Sequence, residues 1–123
     1  MLKKKIFCFD IDNTICKTIG NDYLKSIPIK KAVQVINLLY ENGYEVKLYT
    51  SRYMGRSQDN VAQAKKKGLN MLKKQLKSWK IKYNSLHMGK PSFDLLIDDK
   101  SIFFKKNWPS FLIKNFLSKI NTK

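Results

Sequence analysis

Acidic residues are the scarcest class in this chain. Of 123 residues only nine are Asp or Glu, against 25 Lys and Arg, which leaves a net charge of +16. Arginine is scarce too: Arg52 and Arg56 are its two instances, and every other basic residue is Lys. Arg is the side chain suited to bidentate reading of bases and phosphates. The excess is expected first as generic surface basicity and second as steering of anionic small substrates, and nucleic acid is not the expected partner. The two cysteines, Cys8 and Cys16, form no Cys-x-x-Cys or Cys/His cluster, which excludes a zinc site built on thiolates. They are expected as reduced thiols in a reducing compartment. No apolar run approaches the roughly 20 residues that cross a bilayer. The apolar stretch Ile6-Phe7-Cys8-Phe9 after Lys3-Lys4-Lys5 is cut off by Asp10 and Asp12, too soon for a secretory signal. The expectation is a cytoplasmic protein with no membrane span, folded as one domain over residues 1–123.

Strands and helices alternate along the chain. Ile6 to Phe9 suits a strand buried on both faces. Residues 13–27 mix Asn, Thr, Gly, Asp and Ser and read as a loop or flap. Pro28 is placed to open a helix, with Ile29, Val33, Ile36 and Tyr40 as its buried stripe and Asn42-Gly43 as its end. Tyr44 to Tyr49 reads as a strand with Val46 and Leu48 on one face. Residues 58–67 read as a polar, Lys-rich helical stretch that Gly68 interrupts. A further helix then packs through Leu69, Leu72, Leu76 and Trp79. Ser85–Met88 and Phe93–Ile97 read as strands, and Ile102-Phe103-Phe104 as one more. Residues 110–121 form an amphipathic helix with Leu112, Phe116 and Ile120 on one side. This pattern predicts an α/β, Rossmann-like parallel sheet flanked by helices, with ligands at the carboxyl ends of the strands.

The rare acidic residues are placed there. Asp10-x-Asp12 and Asp98-Asp99 each follow an apolar strand, and residues two apart in extended chain point to one side. Parallel neighbours would bring the two groups together. Crowded carboxylates repel, and a hard divalent cation with oxygen ligands, Mg²⁺, relieves that repulsion. Thr50 ends the second strand with a hydroxyl and an N–H, and Lys90 supplies an ammonium before the last acidic pair. An in-line nucleophile, a metal and donors for equatorial oxygens are the parts of phosphoryl transfer. His87, the single histidine, suits a satisfied strand-end residue better than a phosphohistidine. Trp79, Phe103, Phe104 and Trp108 suit a core better than a base-stacking platform.

At these residues the sequence resembles the haloacid dehalogenase superfamily of phosphatases. Phe9-Asp10-Ile11-Asp12-Asn13-Thr14-Ile15 is similar to the family's Asp-x-Asp-x-Thr opening. Tyr49-Thr50-Ser51-Arg52, Gly89-Lys90-Pro91 and Ile97-Asp98-Asp99 are similar to the three later motifs, in order. The resemblance implies a haloacid dehalogenase-like core and a phosphatase. In it Asp10 attacks phosphorus to form an aspartyl-phosphate, and Asp12 acts as general acid and base. It implies that Thr50 and Lys90 hold the phosphoryl oxygens. Mg²⁺ would be held by Asp10, the Asp12 backbone carbonyl and Asp98, with Asp99 in support. Asn13, Ser51, Arg52 and Arg56 flank these positions as candidate substrate contacts, Arg52 and Arg56 for the substrate's anionic part. The short segments between motifs imply a core without a sizeable cap, open to a large substrate or lidded by a partner subunit such as a second copy.

The stretches Thr50-Ser51-Arg52-Tyr53-Met54-Gly55 and Gly89 to Lys100 resemble a narrower group, small bacterial phosphatases of capsular or surface polysaccharide biosynthesis. That resemblance implies a phosphorylated sugar, or an alcohol phosphate attached to a sugar, as substrate. A polynucleotide end phosphatase and a non-catalytic phosphate-binding module are the competing expectations.

Overall fold

The computed structural model describes residues 5–55, 58–90, 93–95, 100–102 and 104–117. Strand β1 (Ile6–Asp10) pairs in parallel with β4 (Glu45–Thr50), and β4 with β5 (Ser85–Met88). The resulting order is β1-β4-β5. Helix α1 (Lys30–Glu41) connects β1 to β4, and α2 (Val61–Ser78) connects β4 to β5. Parallel neighbours require such crossovers, because a tight turn can only reverse the chain. Sheet and helices make a mixed α/β fold compatible with a Rossmann-like architecture. No helix among the described residues is long and apolar enough to cross a membrane.

Strand β4 shows the alternation most plainly. Val46, Leu48 and Thr50 are buried, while the residues between them are partly exposed. Strand β1 departs from the expectation of burial on both faces. Phe9 is buried, but Ile6 is 49% exposed and Cys8 is exposed. The segment expected as a loop contains a short antiparallel hairpin, β2 (Cys16–Lys17) with β3 (Ile27–Pro28), joined through a 3-10 turn at Tyr23–Lys25.

Pro28 therefore lies in β3, and α1 starts two residues later, with Ile29 extended at its N-cap. Its fully buried residues are Ala32, Val35, Ile36 and Leu39; of the expected stripe, Ile29 and Val33 pack against the core partly buried, and Tyr40 is 38% exposed. The C-terminal end falls where expected. Gly43 takes φ 89°, and the Asn42 side-chain amide donates to the Leu38 carbonyl at 2.7 Å.

Gly68 does not interrupt α2, which is one continuous helix. Phe93–Leu95 is not strand, nor are Ile102 and Phe104. Leu96, Ile97 and Phe103 lie outside the described residues. Near the C-terminal end, α3 (Trp108–Leu112) passes into a π-helical turn at Ile113–Leu117, and Ile120 lies outside the described residues. The main core joins Phe9, Ile11 and Ile15 to Val46 and Leu48, the inner faces of α1 and α2, and Trp108, Leu112 and Leu117.

Candidate functional site

The carboxyl ends of β1 and β4 and the segment after β5 converge on one edge of the sheet. Register places Asp10 opposite Tyr49 and Thr50 opposite Met88. Two residues beyond Met88, the Lys90 N–H donates to the Thr50 carbonyl at 3.1 Å, which extends the pairing to the catalytic candidate itself. Gly89 between them takes φ 112°, and a Cβ there would meet Val61 of α2 at 3.0 Å. A side chain at that position is strained by conformation and would press on Val61.

After Asp10 the chain winds around a single acceptor. The Ile11 carbonyl receives the N–H groups of Thr14, Ile15 and Cys16 at 3.2, 2.9 and 3.4 Å. Ile11 and Ile15 plug the core at 0% exposure, so the residues between them face outward. Asn13 takes the left-handed conformation, φ 63°, which Asn tolerates better than most residues. Its side-chain oxygen accepts from the Thr18 N–H at 3.1 Å and closes the loop. Asn13 is exposed and Ser51 partly so.

The two aspartates occupy different surroundings. The side chain of Asp10 is 34% exposed. Its Oδ1 accepts from Lys90 Nζ at 3.1 Å and its Oδ2 from the Thr14 hydroxyl at 3.3 Å. Asp12 is gripped more tightly. Its Oδ1 accepts from Arg52 Nη2 at 2.9 Å, from Arg52 Nε at 3.2 Å and from the Thr18 hydroxyl at 2.6 Å. The Cys16 thiol lies 3.8 Å from the same oxygen. Oδ2 takes one contact, Arg52 Nε at 2.9 Å.

Arg52 is the residue that the structure places differently from the sequence reading. Expected at the substrate, it is 3% exposed and seated behind Asp12. Its Nη1 donates to Gln75 Oε1 at 2.6 Å, and its guanidinium lies 4.8 Å from the centre of the Tyr23 ring. Gln75 in turn donates to the Tyr23 carbonyl at 2.7 Å. No motif in the sequence points to Gln75, Thr18 or Tyr23. Thr18 and Tyr23 lie in the segment that reads as a flap, and Gln75 faces inward from a helix of lysines, where nothing local marks it.

Thr50 is 1% exposed, and its hydroxyl accepts from the Arg52 N–H at 3.0 Å. His87 is exposed, with Nε2 2.9 Å from the Ser85 hydroxyl. Cys8 and Cys16 are free thiols. Arg56, Asp98 and Asp99 lie outside the described residues. Among the described residues no three His, Cys, Asp or Glu side chains gather as a metal centre. Of the residues expected to hold Mg²⁺, Asp10 presents a partly exposed carboxylate, a hard oxygen donor of the kind that ion takes.

No family model and no curated protein matches this chain. A crystal structure described as an MCSG target from Vibrio cholerae superposes with a TM-score of 0.78 at 23% identity. The match covers 94% of this chain and 93% of that one. At that identity the likeness establishes the fold alone.

Proposed function

We propose that this chain is a phosphomonoester hydrolase of the haloacid dehalogenase type, with Asp10 as nucleophile and Asp12 as acid and base. One observation carries the reading. Two aspartates two residues apart stand at the carboxyl edge of a parallel sheet, one open and lysine-bound, the other fixed by a buried arginine. This is a division of labour that two capping carboxylates would not need.

In the proposed reaction an Asp10 oxygen attacks phosphorus while the ester P–O bond breaks. Protonated Asp12 gives its proton to the leaving oxygen. Water then attacks the aspartyl-phosphate, Asp12 takes a proton back, and phosphate departs. Oδ2 of Asp12 carries that proton, since Oδ1 is saturated by Arg52 and Thr18. Lys90 neutralises charge at Asp10 and at an incoming phosphoryl oxygen. The Thr50 hydroxyl, behind the strand end, positions the Arg52 backbone. Mg²⁺, held by Asp10, the Asp12 carbonyl and the Asp98-Asp99 pair, would supply charge neutralisation for the transferred group.

The stretches from Asp12 to Thr50 and from Thr50 to Lys90 are occupied by the hairpin, α1 and α2, which supports a capless site open to a bulky substrate. With the motif resemblance, this favours a sugar phosphate or a sugar-linked alcohol phosphate of surface polysaccharide synthesis, met in the cytoplasm. The test is phosphate release from p-nitrophenyl phosphate and a panel of sugar phosphates. Activity that needs Mg²⁺ and disappears in Asp10→Asn is expected. Turnover that survives Asp10→Asn, or no turnover on any phosphomonoester with Mg²⁺, overturns the proposal.

A further inference from the structure

Six of the eighteen residues of α2 are lysine. Gln75 stands among them as a helical neighbour of buried Leu72, and both ends of its side chain are bound. Oε1 accepts from Arg52 Nη1 at 2.6 Å, and Nε2 donates to the Tyr23 carbonyl at 2.7 Å. A guanidinium only donates and a carbonyl only accepts, so the two partners fix which end of the amide is which.

The other nitrogens of Arg52 give that bond its weight. Nε and Nη2 bind the Asp12 carboxylate side-on, and Nη2 also donates to the Ser26 hydroxyl at 3.4 Å. The Thr18 hydroxyl donates to Asp12, so the hydrogen shared between Thr18 and Ser26, 2.5 Å apart, belongs to Ser26. Asp12, Arg52, Ser26 and Thr18 thus close a ring of mutually polarising hydrogen bonds. Nη1 is the corner of the guanidinium outside that ring, and Gln75 holds it. A planar group held along one edge can still swing; held at the opposite corner as well, it cannot. The Tyr23 ring, 4.8 Å from the guanidinium carbon, covers one face of the same plane.

We infer that Gln75 is a positioning residue for proton transfer at Asp12, acting through Arg52. The inference rests on the reading of Asp10 as nucleophile and Asp12 as acid and base. The Asp12 carboxylate follows the guanidinium plane, and with it Oδ2, the oxygen left to carry the proton. The residue type suits the task. A lysine at 75, as at Lys73, Lys74 and Lys77 nearby, would set a second cation against Arg52. A glutamate would compete with Asp12 for the guanidinium and turn like charge on the Tyr23 carbonyl. A neutral amide accepts at one end, donates at the other and leaves the charge of Arg52 to Asp12. A plain staple between helix and hairpin would need the Tyr23 bond alone.

Leaving-group dependence separates positioning from general support. Phenolate leaves poorly without a proton, whereas dinitrophenolate is stable as the anion. Phenyl phosphate therefore needs the acid and 2,4-dinitrophenyl phosphate does not. Gln75→Met keeps side-chain length and helix propensity but makes neither hydrogen bond. With Mg²⁺ it should lower kcat/KM about tenfold on phenyl phosphate and less than about threefold on the dinitrophenyl ester. Asn37→Met is the control. Asn37 is likewise an amide bound at both ends, donating to the Lys80 carbonyl at 3.0 Å and accepting from the Lys82 N–H at 2.7 Å. Those partners precede β5, at the sheet edge away from the aspartates. Asn37→Met should lower the melting temperature without changing the ratio between the esters.

A second readout does not involve turnover. Arg52 and Arg56 are the two arginines, so an ¹⁵N spectrum resolves the Arg52 Nε–H once Arg52→Lys has removed it. Gln75→Met should speed exchange of that proton with water, and Asn37→Met should not. Equal losses on the two esters, or an Arg52 signal indifferent to Gln75→Met, overturn the role of Gln75 while Asp10 keeps its own. A wild type without turnover, or turnover that survives Asp10→Asn, overturns the reading beneath and the inference with it.

Discussion

Asp12 has four donors around it and Asp10 has two, and the difference rests on Arg52. A guanidinium with 2% side-chain exposure has no water to fall back on, so removing either partner strands the other. Arg52→Ala should cost about 2–3 kcal/mol, below the full value for a buried pair because Asp12 retains some solvent. Thermal unfolding measures this. If Asp12 is the acid and base, Arg52→Ala lowers kcat with little change in KM, and Arg52→Lys recovers only part, since a point charge cannot serve both oxygens. A rise in KM at constant kcat would instead return Arg52 to the substrate. Cys16 makes a separate prediction. Burial pushes its thiol above the ordinary value of 9.0. The folded chain then holds a proton that the unfolded chain releases, so this contribution is whole below about pH 9 and is lost as pH rises through the folded value. Stability should therefore fall less steeply above pH 9 in Cys16→Ala than in the wild type. Native alkylation near pH 8 should add one label, at exposed Cys8, whose own thiol partial burial also raises.

Among the elements, α2 shows why local signals mislead. Glycine in a helix interior costs about 1 kcal/mol against Ala, and Gly68 therefore reads as a break. Here the Tyr53 ring lies against the helix, so close that a Cβ at Gly68 would overlap its Cε2. Tyr53 is itself held at φ 65° and packs edge-on against Tyr23 at 5.0 Å, so the ring has little room to retreat. Gly68→Ala should destabilise by about 1 kcal/mol net, the steric cost exceeding the propensity gain. In a Tyr53→Ala background the same change should stabilise. Melting the four proteins closes the cycle, and a stabilising Gly68→Ala in the wild type would show that the ring moves freely. Contacts of this kind, between residues distant in sequence, are what the sequence does not display. The alternation of β4, the Asn42-Gly43 stop and the strand-end positions of Asp10, Thr50 and Lys90 are legible because backbone periodicity and turn chemistry are local. The stripe of α1 is legible at Ile29, Val33 and Ile36 but not at Tyr40, and Pro28 pairs with Cys16 in the hairpin instead of opening the helix. Arg52 is legible as important but not in its partner, for the same reason as Gly68.

At the scale of the whole molecule, self-repulsion governs the electrostatics. Against a net charge of +16, the ion pairs found among the described residues are Lys25–Asp22, Lys47–Glu45, Lys82–Glu41, Lys90–Asp10 and Arg52–Asp12. The first three are exposed, where a pair contributes about 1 kcal/mol or less. A domain of this length has a radius of gyration of about 14 Å. The screening length is about 30 Å at 0.01 M salt and about 10 Å at 0.1 M. At the lower concentration every lysine feels all the others; at the higher it feels its neighbours. Added NaCl should therefore raise the melting temperature by several degrees across that range, the opposite of the response of a fold held by surface ion pairs. The Lys66→Gln/Lys73→Gln/Lys77→Gln variant should start higher and respond less, because it removes three exposed like charges from one helix. A melting temperature that falls with salt would mean that attraction outweighs repulsion despite the excess of lysine.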